Sequence, residues 1–170
     1  MSEVTVEIPG PGAGNGAGVL EAEPLSRLTD IEEFRQAYGK FKSGQWDNSK
    51  WQPFRLRYGV YGQLQPDVHM IRIKLPGGIM DVDGVRAIAE ANRRWAGAKL
   101  HLTTRQDIQI YYISPDDAPE VLEYLCDRGI TTREACGNSL RNMNSCQLAG
   151  VCPREHVDAG KVAQRLALSW

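Results

Sequence analysis

Met70-Ile-Arg-Ile-Lys-Leu75, Lys99-Leu-His-Leu-Thr-Thr-Arg105 and Asp107-Ile-Gln-Ile-Tyr-Tyr112 alternate apolar residues with cationic or hydrogen-bonding ones. Arg55-Leu-Arg-Tyr-Gly-Val-Tyr61 reads the same way. Successive side chains of a strand point to opposite faces, so this period predicts four strands of one half-buried sheet. One face carries Leu56, Val60, Ile71, Ile73, Leu100, Leu102, Ile108 and Ile110. The other carries Arg55, Arg57, Arg72, Lys74, His101, Thr103, Arg105 and Gln109. An antiparallel sheet with one solvated face is ordinary. A second face this rich in guanidinium groups, in a chain of net charge −1, points to a polyanion lying against it. The plainer alternative is a solvated face whose Arg and Lys guard the sheet against aggregation.

Around these strands the pattern turns helical. Thr29 or Asp30 is placed to cap a helix through Lys42, with Ile31, Phe34, Ala37, Tyr38 and Phe41 on one stripe. Strands near 54–63 and 67–75 lead to a turn at Pro76-Gly-Gly78. A helix near 82–96 then opens after Asp81 and turns Val82, Val85, Ile88, Ala89 and Trp95 inward. After strands near 99–104 and 107–113, Ser114-Pro-Asp-Asp117 starts another helix that Gly129 stops. The order β-β-α-β-β-α predicts a small α+β sandwich, an antiparallel sheet with its helices on the apolar face.

The flanks differ. Residues 1–28 hold Pro9-Gly-Pro-Gly-Ala-Gly-Asn-Gly-Ala-Gly18, a flexible leader that lacks the spacing of a dinucleotide loop. After about residue 131 the character of the chain changes. The stretch from Thr131 to Pro153 is rich in Cys, Asn, Ser and Gly and has neither periodicity. A last helix begins near Asp158 with Val162, Ala163, Leu166 and Ala167 aligned. Its apolar stripe has nothing downstream to complete a layer, which predicts a chain that continues past Trp170.

With 170 residues and 20 basic against 21 acidic side chains, bulk charge argues against nucleic acid as a partner. No apolar run approaches the roughly 20 residues that span a bilayer, so no membrane partner is expected. The N-terminus has no signal-peptide pattern, and Cys126, Cys136, Cys146 and Cys152 are expected as reduced thiols of a cytoplasmic protein. Cys146-x5-Cys152 could be half of an iron–sulfur site, but no paired C-x2-C or C-x3-C accompanies it. Cys126 reads as a helix core residue. His69, His101 and His156 are scattered, and no metal site is expected in this chain.

Gly59-Val-Tyr-Gly-Gln63, Met70-Ile-Arg-Ile-Lys-Leu-Pro-Gly-Gly78, Leu102-Thr-Thr-Arg-Gln-Asp-Ile-Gln109 and Leu140-Arg-Asn-Met143 occur in order. Together they resemble the N-terminal half of the sirohaem-dependent nitrite and sulfite reductases, over residues 29 to 170. The resemblance implies a ferredoxin-like α+β half-domain over residues 29–130, the start of a second α+β domain over residues 131–170, and six-electron reduction of nitrite to ammonia or of sulfite to sulfide. It implies sirohaem, whose many carboxylates would match the cationic face, and a [4Fe–4S] cluster whose ligands lie outside this chain. Arg72, His101, Thr103, Arg105, Gln109, Arg141 and Asn142 would bind sirohaem, and Lys74 and Arg141 would act on the substrate anion. His101 and Lys74 stand where some sulfite reductases have Arg, and Tyr111 where they have His. The implied partners are nitrite or sulfite, the C-terminal half of the same enzyme, and a donor such as ferredoxin or a reductase subunit. The alternatives are a non-catalytic tetrapyrrole-binding module, one subunit of a split reductase, or a basic docking surface for an acidic protein.

Overall fold

The computed structural model describes residues 27–97, 99–133 and 141–168. Its elements run α1 (Leu28–Lys42), α2 (Asn48–Arg57), β1 (Val60–Gly62), β2 (His69–Ile73), a 3-10 turn (Pro76–Gly78), α3 (Val82–Ala91) extended by a π-helical turn (Asn92–Ala96), β3 (His101–Leu102), β4 (Ile108–Ile113), α4 (Ala118–Cys126) and α5 (Ala159–Leu168). The strands form one antiparallel sheet in the order β1-β2-β4-β3. From β1 to α4 this is the β-β-α-β-β-α order that the alternation predicts. Most of the leader, Cys136 and Trp170 lie outside the described residues.

The apolar sheet face is covered over β2 and β4, whereas Leu100 and Leu102, expected on it, are 38 % and 75 % exposed. Ile71, Ile73, Ile108 and Ile110 share one core cluster with Phe34 of α1, Ile88 of α3 and Val121, Leu122 and Leu125 of α4. Each such buried side chain contributes roughly 1.5–3 kcal/mol relative to exposure. Among the described residues no helix is long and apolar enough to cross a membrane.

Four local expectations are corrected. Residues 54–57 are helix, not strand: Asp47 Oδ1 accepts from Lys50 N at 3.1 Å and starts α2, which continues through Pro53. The helical signal was the spacing of Trp51, Phe54 and Tyr58, which pack with Phe34 at ring-centroid distances of 5.4, 6.3 and 5.2 Å. Arg55 and Arg57 therefore leave the cationic sheet face. Arg55, only 8 % exposed, donates from Nη1 to Val60 O at 2.8 Å, and Arg57 stacks its guanidinium 5.9 Å from the Phe54 ring.

Second, α1 starts after Arg27, with no side-chain cap, so Thr29 and Asp30 fall inside its first turn. Third, the inward face of α3 is Gly84, Ala87, Ile88 and Ala91, while Val82 and Val85 are exposed. Gly84 decides that rotation: a Cβ there would sit 2.8 Å from Met80 Cγ, so the chain packs too closely for any larger residue. The fourth lies in β4. Its pairing passes from Ile71↔Ile110 to His69↔Ile113, one extra residue on β4, with Tyr112 at φ 62. The bulge reverses the alternation and returns Ile113 to the core.

Candidate functional site

The polar face is built row by row from strand register. Arg72 of β2 pairs with Gln109 of β4, and Gln109 with His101 of β3, which sets these three residues in line across the sheet. Their side chains are ordered by one another. The Gln109 amide oxygen accepts from Arg72 Nη2 at 2.8 Å and Nε at 3.0 Å, and its nitrogen meets Tyr111 Oη at 2.5 Å. Arg72 also donates from Nη1 to Tyr61 Oη at 3.0 Å and lies 4.8 Å from that ring's centroid. His101 stands edge-on to Tyr111 at 6.4 Å. Gln109 thus fixes a guanidinium, and its own two ends are satisfied by protein.

One step along, the alternation sets Lys74, Asp107 and Thr103 in the next row. Thr103 N donates to Asp107 O at 2.9 Å, and the Thr103 hydroxyl accepts from Arg105 N at 3.2 Å and Asp107 N at 3.1 Å. These bonds close the β3–β4 hairpin through a tight tip with Gln106 at φ 61. An ordinary residue in the left-handed region is strained, and the contacts of Gln106 hold it there. Its side chain donates to Ser145 O at 2.9 Å and accepts from Ser145 N at 3.0 Å.

The segment from Arg141 to Ser145 is stitched to the same place. Asn142, buried, donates from Nδ2 to Arg105 O at 2.9 Å. Ser145 Oγ donates to Gly77 O at 2.8 Å, and Gly77 N donates to Met143 O at 2.7 Å. Three loops meet at one end of the sheet, and that meeting carries Arg141 to the cationic rows. Asn142 spends its amide nitrogen on the hairpin backbone, while its Oδ1 is buried without a hydrogen-bond partner. Arg105 and His101 are exposed, while Lys74, Thr103 and Arg141 are half-buried.

Asp107 is the residue that sequence reasoning missed. It is 3 % exposed, and its Oδ1 has no hydrogen-bond partner. Burial holds its carboxyl above the ordinary carboxylate range, against the opposing attraction of Arg72, Arg105, Arg141 and Lys74. All four cations therefore act on one buried carboxylate. The signal was present in the alternation, because Asp107 shares its parity with Arg105 and Gln109 as an acid within a basic row. Among the described residues no group of His, Cys, Asp and Glu could hold a metal ion. Cys146 is exposed and Cys152 half-buried, both as free thiols.

The chain is similar to known proteins over this region. Residues 61–127 match the model of the nitrite/sulfite reductase ferredoxin-like half domain. The chain is similar to the assimilatory ferredoxin-dependent nitrite reductase of Haloferax mediterranei, 30% identical over 131 residues, covering 70% of this chain and 22% of that one. It is 28% identical over 96 residues to a ferredoxin sulfite reductase of Mycobacterium tuberculosis, covering 56% of this chain and 17% of the relative. The structure of the Mycobacterium tuberculosis NirA protein superposes with a TM-score of 0.66 at 20% identity, covering 85% of this chain and 31% of that chain. At that identity the likeness is one of fold. The chain spans about a fifth of the length of the curated relatives it matches.

Proposed function

Because this chain belongs to the nitrite/sulfite reductase family through its ferredoxin-like half domain, we propose that it supplies the basic face on which such an enzyme holds sirohaem and its anionic substrate. The observation that carries the reading is the convergence of Arg72, Lys74, Arg105 and Arg141 on Asp107. Three of the four are guanidinium groups. That donor set fits a macrocycle rimmed with carboxylates, since guanidinium groups grip carboxylates through paired N–H donors. Arg72, Arg105 and Arg141 would hold the carboxylate rim, with Thr103 and His101 beside them. When bound, sirohaem supplies the redox iron at which the substrate anion is reduced.

This chain's own residues do the electrostatic part. Lys74 and Arg141 offset the charge of nitrite or sulfite and donate hydrogen bonds to its oxygens as they leave. Of the two, only Lys74 can give up a proton, because a guanidinium stays protonated at any working pH. Gln109 fixes the orientation of the Arg72 guanidinium through the two hydrogen bonds it accepts. The [4Fe–4S] cluster would be held by the remainder of the enzyme, and residues 131–170 would open the domain that carries it. The relatives' names include ferredoxin, which makes a ferredoxin the leading donor. The second reading, a binding module or one subunit of a split reductase, shares the same face and differs only in where the cluster ligands reside.

Titration of the chain with sirohaem, followed by the Soret band, tests the face directly. Wild type is expected to bind, and Arg105→Glu to lose affinity at least tenfold, about the 1.4 kcal/mol of one charge-assisted contact. Unchanged sirohaem affinity in Arg105→Glu, together with lost binding of an acidic ferredoxin, would instead assign the face to protein docking.

A further inference from the structure

Asp107 is out of place in a site built for anions. A carboxylate beside an incoming polycarboxylate repels it, and a buried one gives up its hydration as well. Its neighbours come from every element that closes the pocket: Arg72 and Lys74 from β2 and its extension, Arg105 from the hairpin tip, and Arg141 from the stitched segment. His101 lies one row away on the same face. The hairpin bonds hold only the backbone of Asp107, through its N and O, while its Oδ1 is left without a partner. The fold therefore does not need this carboxylate for a structural hydrogen bond at that oxygen. What the carboxylate does have is four cations within electrostatic reach.

We infer that Asp107 is the internal counter-ion of the cationic face: it balances the guanidinium groups when no anion is bound and takes up a proton from solvent when a polycarboxylate displaces it. The inference rests on the reading of the face as a polycarboxylate site. The step is a plain protonation, COO⁻ to COOH, with no redox partner. Its direction follows from the balance already present. Burial outweighs the pull of four cations and favours the acid form beyond the ordinary carboxylate range. An anion that occupies those cations weakens the only force holding the proton off, so the bound state binds a proton more tightly than the free state. Asp107 would then tune affinity to pH, which distinguishes it from a residue that merely positions the hairpin.

Calorimetric titration with uroporphyrin, a metal-free polycarboxylate tetrapyrrole, tests this in two buffers of different ionisation enthalpy. Wild type is expected to show buffer-dependent heats corresponding to proton uptake, and Asp107→Asn heats that do not depend on buffer. The variant is expected to bind roughly tenfold more tightly at pH 7.5, on the order of one like-charge repulsion removed, with the gap closing as pH falls and the carboxyl protonates in the free chain. Buffer-independent heats in wild type, or equal affinities at pH 7.5, overturn the inference while leaving the face intact. The wild-type heats need no variant, so a poorly folded Asp107→Asn does not rescue the idea. Absence of binding of both uroporphyrin and sirohaem to wild type sinks the reading of the face, and this inference with it.

Discussion

Gly78 shows how much of the site depends on single positions. It has φ +69, and a Cβ there would meet Gln106 Cδ at 2.9 Å and Gln106 Cβ at 3.1 Å. Gly78→Ala is therefore expected to cost about 2–3 kcal/mol, part from the left-handed backbone and part from the clash. Gln106→Gly relieves the clash but also loses the two Ser145 bonds, so the coupling energy of the double-variant cycle, measured by urea denaturation, isolates the steric part. Strictly additive effects of the two substitutions would show that Gln106 is not the obstacle. Arg72, Lys74, Thr103, Arg105 and Gln109 were legible as members of one face because strand parity is local. Which of them contact each other was not. The Arg72–Gln109 fork depends on β2 pairing with β4 across an intervening helix, and no spacing within either strand specifies that register.

Among elements, the hairpin tip and the segment 141–145 work as one unit. Asn142 joins them by the 2.9 Å bond to Arg105 O, and Gln106 and Ser145 add two more. Asn142→Ala removes the first and is expected to destabilise the chain by about 1–2 kcal/mol. Hydrogen exchange should rise at Arg105 and Gln106 but not in α4, and sirohaem affinity should fall. Equal exchange throughout the chain would mean that the segment does not brace the hairpin. The helices were predicted by their apolar stripes, and α4 and α5 appear close to where those stripes end. Helix α2 was missed for a physical reason. Arg55-Leu-Arg-Tyr alternates like a strand and Pro53 reads as a breaker, while the aromatic packing that overrides both comes from α1. The inward turn of α3 was likewise misplaced, because Val82 and Val85 look like core residues until Gly84 is seen against Met80.

For the whole molecule, pH stability is expected to report a group far from the basic site. Burial, with Arg55 nearby, pulls the His69 imidazole from 6.5 down to about 4. The folded chain then binds fewer protons than the unfolded chain between those values. Stability from this group is complete above pH 6.5, falls as pH drops, and is gone near pH 4. After discounting for partial exposure the loss is roughly 2 kcal/mol. His69→Gln should flatten thermal midpoints across that window, and a variant with the same slope as wild type would place the titration elsewhere. The amino-acid sequence by itself determined the fold class, the two faces of the sheet and the basic identity of one of them, because side-chain parity and apolar periodicity are properties of adjacent residues. Only tertiary structure decided that Arg141 joins Arg72, Lys74 and Arg105, that Arg55 and Arg57 do not, and that Asp107 lies among them. Those outcomes depend on loops closing over long sequence separations, where hydrogen bonds such as Gly77 N to Met143 O choose the neighbours.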